Sequence, residues 1–215
     1  MMPPRPPPVY LVTDASCGEG LPARIASAIR GLPPGAVAIQ LRVPGIPARG
    51  LLAMARAIER IVHAEGQVLV VNDRIDVALA AGADGIHLPS AGIPPADARR
   101  LLGAGARIGV SCHSVADVAQ AIRGGADFAT FGPVFDTPSK RAYGEPVGLD
   151  RLAEAATLGL PLLGLGGVDL SNAAAVMEAG ASGVAAIRAW LEADDPAEVV
   201  RALVEVVHRT KRRSA

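Results

Sequence analysis

One junction is written three times along this chain, and it limits the fold more than any other feature. Ala81-Gly82-Ala83-Asp84-Gly85, Gly124-Gly125-Ala126-Asp127 and Ala179-Gly180-Ala181-Ser182-Gly183 each follow an Ala-rich stretch and lead into an apolar run. Glycine suits the left-handed position just past a helix C-terminus, and the residues after it feed a strand. The same junction repeated implies one strand–helix unit used again and again.

Outward from those junctions, strand and helix signals alternate eight times. Strands are expected at residues 9–14, 36–42, 67–72, 85–88, 107–113, 127–132, 161–167 and 183–187. Helices are expected near 21–31, 47–65, 74–81, 94–103, 114–124, 149–158, 170–179 and 196–211. Most strand segments are short continuous apolar runs, as in parallel strands covered on both faces. Ser114 with Asp117 three residues on fits a capping box. Eight such units in 215 residues predict one α/β domain over 9–210, a (β/α)8 TIM barrel. A doubly wound open sheet is the alternative, but no Gly-x-Gly-x-x-Gly opens the first helix, so its dinucleotide-binding form has little support. The proline-rich residues 1–8 and the basic tail 211–215 are expected to be disordered ends.

Composition excludes several roles. Aromatic residues are 3% of a chain that is 50% hydrophobic, so the core must be built from Ala, Val, Leu and Ile. Lys plus Arg equals Asp plus Glu at 21 each, which argues against nucleic acid or a membrane surface as partner. No apolar run approaches the length of a membrane span. Residues 1–8 lack the apolar region of a secretory signal. Cys17 and Cys112 are too few for a disulfide framework and lack metal-ligand spacing. A reducing compartment, the cytoplasm, is the expectation.

A parallel barrel places its site at the C-terminal ends of its strands, and the polar residues collect there. Asp14 ends the first strand, Gln40 and Arg42 the second, and Asn72 and Asp73 the third. His87 sits late in the fourth, and Ser111 and His113 end the fifth. Strand alternation points Gln40 and Arg42 the same way. Residues 131–148 make a long connection after the sixth strand, of a length that marks function or disorder. In it Thr137, Ser139 and Lys140 put two hydroxyls and an ammonium within four residues, and Pro133, Pro138 and Pro146 restrict the backbone. Such a loop suits closure over an anion; a mobile basic loop without a ligand is the competing reading.

Gly166 and Gly167 end the seventh strand, where backbone N–H groups can approach a phosphate. A tight turn needing positive φ is the bland alternative. Ile187 and Arg188 follow the eighth strand. Loops seven and eight form the common phosphate site of such barrels. Arg42, Asn72 and Lys140 on the other side suit a second, more charged phosphate group. Asp73 fits there if it holds magnesium together with substrate phosphates; a helix N-cap at Asn72-Asp73 competes with that reading. His87 and His113 are candidate acid–base groups, and structural histidines equally.

These residues, in order, resemble the thiamine-phosphate synthase/TenI superfamily. The resemblance rests on Gln40-Leu41-Arg42, Val71-Asn72-Asp73, Asp84-Gly85-Ile86-His87-Leu88, Gly109-Val110-Ser111-Cys112-His113-Ser114, Gly132-Pro133 through Thr137-x-Ser139-Lys140, and Gly164-x-Gly166-Gly167. It implies an enzyme of thiamine biosynthesis, a transferase joining a pyrimidine diphosphate to a thiazole phosphate and releasing pyrophosphate. It further implies that Gln40, Arg42, Asn72 and Lys140 bind the pyrimidine diphosphate and that Asp73 binds Mg2+. Ser111 would lie near the diphosphate and the reacting carbon. Thr137, Ser139, Gly167 and Ile187 would hold the thiazole phosphate.

The sequence departs from the family pattern at four places. Pro44 stands where the synthase has a lysine, and Gly92 where it supplies a second acidic magnesium ligand. Arg188 replaces a serine of the last phosphate loop, and Pro133 the histidine of the TenI tautomerase. Three functions follow in order of preference. The first is the synthase, the second a TenI-like isomerase of the thiazole phosphate using His113 or His87, and the third a non-catalytic binder of thiazole or thiamine phosphate. All three take small phosphorylated molecules as partners; a homo-oligomer is left open.

Overall fold

The computed structural model describes residues 6–137 and 145–213. Eight parallel strands close into a barrel in sequence order: β1 (Val9–Val12), β2 (Val37–Leu41), β3 (Val68–Asn72), β4 (Gly85–Leu88), β5 (Arg107–Cys112), β6 (Phe128–Phe131), β7 (Leu162–Leu165) and β8 (Gly183–Ala186). Val9 lies opposite Val37 on one side and Val184 on the other, so the last strand returns to the first and no sheet edge is left open. The helices are α1 (Leu21–Ile29), α2 (Ala48–Ala64), α3 (Ile75–Ala81), α4 (Pro95–Leu102), α5 (Val115–Arg123), α6 (Gly148–Ala156), α7 (Ala173–Glu178), α8 (Arg188–Leu191) and α9 (Pro196–Arg213). A single (β/α)8 barrel is therefore the fold, with α8 added between β8 and the closing helix α9.

The repeated junctions work as their composition predicts. Gly82, Gly125 and Gly180 take φ of 71°, 79° and 93°, the left-handed conformation that ends a helix at no steric cost in glycine. The chain then turns onto the preceding strand by the same backbone bond each time: Asp84 N–H to Leu69 O, Asp127 N–H to Ile108 O, and Ser182 N–H to Leu162 O. At the first two, a carboxylate takes the return bond, from Leu69 N–H at 2.8 Å and from Ile108 N–H at 2.7 Å. The capping box of α5 is also present, with Ser114 and Asp117 bonded reciprocally.

Strand alternation sorts the apolar residues into two cores. One lies between sheet and helices and holds most of the Leu, Ile, Val and Ala. The other fills the lumen, with Tyr10, Val12, Ala38, Val68, Val70, Phe128, Leu163 and Ala185. Two of the few aromatics thus stand in the lumen, where Tyr10 and Phe128 meet edge to face at 5.6 Å. Gly109 makes this packing fit: a Cβ there would lie 2.4 Å from Phe128 Cζ and 2.7 Å from His87 Nδ1.

Both ends are more ordered than composition suggests. Pro7 is buried and Pro8 O accepts from Val184 N–H at 2.9 Å. Pro7 and Pro8 therefore belong to the barrel's base, with the Pro8 carbonyl extending the pairing onto β8. The basic tail is corrected likewise: α9 continues through Arg213, with Val207 and Thr210 buried beneath it. Lys211, Arg212 and Arg213 fall in its last turn, where the helix dipole favours cations. Residues 1–5, Ser214 and Ala215 lie outside the described residues.

Candidate active site at the barrel mouth

A cavity of about 910 Å3 opens at the C-terminal ends of the strands. Its wall is dictated by parity. Residues two apart on one strand share a face, and the lining follows this rule: Val12 with Asp14, Gln40 with Arg42, Ser111 with His113, and Ala185 with Ile187. Of the residues expected at the site, Gln40, Arg42, Asn72, Asp73, His87, Ser111, His113, Thr137, Gly166, Gly167, Ile187 and Arg188 all line this one cavity. Ser139 and Lys140, with Tyr143, lie outside the described residues.

On the β2–β3 side, Thr13 fixes the backbone of Arg42. Its hydroxyl accepts from Arg42 N–H at 2.9 Å and donates to Arg42 O at 3.1 Å. Arg42 is exposed, and among the described residues its guanidinium has no partner. Asp73 is the sole non-glycine residue with positive φ among the described residues, at 61°. Its N–H donates to His87 O at 2.9 Å, which ties that backbone to the end of β4. The N-cap of α3 is Arg74 and makes no side-chain capping bond, so the helix-cap reading of Asn72-Asp73 is not met. Aspartate enters this left-handed region more readily than bulkier residues, and Asp73 lines the cavity.

Whether a cation fits can be judged from this wall. Among the described residues no three His, Cys, Asp or Glu side chains gather as a metal cluster. Gly92 sits in a turn closed by its N–H to Pro89 O, and a Cβ there would lie 2.9 Å from Pro89 Cδ. A side chain at 92 would force this turn to shift against Pro89. Magnesium is often held by one carboxylate plus substrate phosphates, and Asp73 fits that arrangement rather than a prebuilt cage.

On the β6–β8 side, the loops after β6 and β7 are joined as if the strands continued. Val134 N–H donates to Leu165 O at 2.8 Å and Phe135 N–H to Gly166 O at 3.0 Å. Gly166 and Gly167 have φ of 97° and 67°. A Cβ on Gly166 would lie 2.6 Å from Pro133 Cα, and one on Gly167 would lie 2.8 Å from Phe135 Cβ. The tight-turn reading of the glycines is met: both take positive φ, and both pack against the backbone after β6. Thr137 is buried, and Arg188 Nη2 donates to its Oγ1 at 3.1 Å. Beneath Arg188, Trp190 is fully buried and its indole N–H donates to Val12 O at 3.2 Å. Arg24 Nη2 donates to Trp190 O and Ala193 O, so α1 and β1 together anchor α8. Trp190 supports the site from below and does not line it.

The floor of the cavity is a polar cluster of Tyr10, His87, Ser111 and Thr130. His87 is 1% exposed. Its Nδ1 is 3.2 Å from Tyr10 Oη, and its Nε2 is 3.0 Å from Ser111 Oγ and 3.3 Å from Thr130 Oγ1. Burial pushes its pKa down to about 3, so the ring is neutral at physiological pH and poorly suited to carry protons. That argues against His87 as the acid–base group. His113 is different: it is exposed, and its Nδ1–H donates to Gly132 O at 2.5 Å, which leaves Nε2 free of that bond. Tyr10 and Thr130 were not singled out from sequence; a polar residue in phase with the lumen face of an apolar strand was the available signal.

Fold and mouth together define a class, the parallel (β/α)8 barrels with a cavity at the C-terminal ends of their strands. Within that class the chain belongs to the thiamine monophosphate synthase family, whose model matches residues 9–190. A thiamine-phosphate synthase of Roseiflexus sp. is 44% identical over 93% of this chain and 84% of its own length. One from Moorella thermoacetica is 42% identical over 94% and 97%. Among solved structures, a thiamine phosphate pyrophosphorylase from Pyrococcus furiosus superposes with a TM-score of 0.84 at 28% identity, covering 94% of this chain and 96% of its own.

Proposed function

We propose that this protein is a thiamine-phosphate synthase, coupling 4-amino-2-methyl-5-(diphosphooxymethyl)pyrimidine with a thiazole phosphate. One observation carries the reading: a single cavity presents Arg42, Asn72 and Asp73 on one wall and Gly166, Gly167, Thr137 and Arg188 on the other. An isomerase of one phosphate would need the second wall alone. In the coupling, the bond from the pyrimidine methylene carbon to the diphosphate oxygen breaks. Pyrophosphate leaves with the electron pair, and the thiazole nitrogen lone pair forms the new carbon–nitrogen bond.

The protein's part is to hold charge as it leaves and to align the nucleophile. Arg42, Ser111 and Lys140 would stabilise the departing diphosphate, with Gln40 and Asn72 binding beside them. Asp73 would hold Mg2+, which supplies charge neutralisation at the diphosphate when bound. Ser139, Thr137, Arg188, Ile187 and the Gly166-Gly167 turn would seat the thiazole phosphate. As a biosynthetic enzyme it would work in the cytoplasm, with phosphorylated metabolites as partners.

The test is direct. Purified protein is mixed with both substrates, with and without magnesium, and thiamine phosphate is followed. Magnesium-dependent product that is lost in Asp73→Ala is expected. No product, with thiazole phosphate still bound, would overturn the synthase. It would leave the TenI-like tautomerase, for which the free Nε2 of His113 is the available proton carrier.

A further inference from the structure

The direction of the hydrogen bonds beneath the cavity hangs on one proton, that of the His87 ring. His87 is neutral and buried, so its ring carries a single N–H. Either Nδ1 or Nε2 holds it, and the neighbours decide which. The phenol of Tyr10 is fully buried, and its hydrogen needs an acceptor. Among the described residues the hydrogen-bond partner of that phenol is Nδ1 of His87, at 3.2 Å, and so Nδ1 is the acceptor for its hydrogen.

With the Tyr10 hydrogen on Nδ1, the imidazole proton must sit on Nε2, facing Ser111 at 3.0 Å and Thr130 at 3.3 Å. The opposite tautomer would put two hydrogens between Tyr10 and His87 or strand the phenol hydrogen, and buried donors in folded proteins are rarely left without a partner. The direction matters because Ser111 lines the cavity. If Nε2 accepted, the Ser111 hydrogen would be spent inside the lumen, and the hydroxyl could only accept from a ligand. With Nε2 donating, the Ser111 hydrogen is free to turn outward.

We propose that Tyr10 and His87 are positioning residues. They hold the imidazole proton on Nε2 so that Ser111, accepting from it, must donate its own hydrogen to an anionic oxygen in the mouth. The relay selects acceptor-only ligands, phosphate or diphosphate oxygens, at that spot. It also strengthens the donor, because a hydroxyl that accepts a bond donates a better one. The inference rests on reading this wall as the diphosphate side of the proposed synthase.

Two measurements test it. Nitrogen NMR of labelled protein reads the His87 tautomer, and the chain's four histidines make assignment tractable. Calorimetry then measures binding of inorganic pyrophosphate with magnesium to the wild type, Tyr10→Phe, Ser111→Ala and the double variant. The expected results are a proton on Nε2 in the wild type and mixed tautomers in Tyr10→Phe. Each single variant should bind about fivefold more weakly, and the double variant no more weakly than Ser111→Ala. A wild-type proton on Nδ1, absence of pyrophosphate binding, or multiplying losses in the double variant would overturn it. If Tyr10→Phe fails to fold, the wild-type tautomer decides alone. If coupling fails while tautomer and binding cycle stand, the synthase falls and the relay remains.

Discussion

Arg188 and Thr137, 51 residues apart, meet across the mouth: the guanidinium at the start of α8 donates to the threonine hydroxyl at 3.1 Å. The bond joins the loops after β6 and β8 over the Gly166-Gly167 turn. It puts a charged donor where the family's synthase pattern has a serine. The departure therefore adds a cation to this wall, which suits a phosphate.

Arg188→Ala should accordingly raise KM for the thiazole phosphate by about tenfold, the scale of one charge-assisted hydrogen bond at a partly exposed site. The kcat and the KM for the pyrimidine diphosphate should change little. Thr137→Val should act in the same direction with a smaller effect. Steady-state kinetics with each substrate varied in turn checks this; an effect confined to the pyrimidine diphosphate would move Arg188 to the other wall.

Asp73 should show opposite demands of stability and activity. Its φ of 61° costs a side-chain-bearing residue about 1 kcal/mol relative to glycine. Asp73→Gly should thus raise the unfolding free energy by about that amount in urea titrations. The same variant should lose magnesium-dependent turnover by about a hundredfold. A protein both less stable and still active would contradict the ligand role.

Gly109 should tolerate no side chain. The Cβ of Gly109→Ala would press on Phe128 and His87, and both rings are buried. Overpacking of this kind costs about 1–3 kcal/mol, read as a lower denaturant midpoint. Because the displaced ring is His87, weaker pyrophosphate binding should accompany it.

His63 should make stability depend on pH. It bridges Glu59 on its own helix, at 2.9 Å from Nδ1, and Asp84 at the α3–β4 junction, at 2.9 Å from Nε2. Burial lowers its pKa, but hydrogen bonds and charge from Asp84 and Glu59 outweigh that, so the folded value lies above 6.5. A raised folded pKa stabilises fully below the unfolded value and is lost as pH rises through the folded one. The stability difference between wild type and His63→Gln should therefore be largest below pH 6.5 and shrink above it. Urea titrations across that range check this, and a difference growing with pH would refute it.

What could be read from the chain alone was whatever is written locally. Eight apolar runs, the Gly82, Gly125 and Gly180 junctions and the Ser114–Asp117 box depend on neighbours two to five positions away, and all stand in the structure as read. Parity along each strand carried Gln40, Arg42, Ser111 and His113 to the mouth for the same reason. Contacts distant in sequence were decided by tertiary structure. Tyr10 reaches His87 across 77 residues, and His87 reaches Ser111 across 24, because closing the barrel stacks lumen residues from different strands at one height. That stacking, not the type of residue, made His87 a neutral member of a buried relay rather than a proton carrier. The backbone of Asp73 and the placement of Pro8 were likewise tied by long-range bonds, from Asp73 N–H to His87 O and from Val184 N–H to Pro8 O. Local patterns can propose which residues face the mouth; only packing in a closed barrel assigns their partners and their protons.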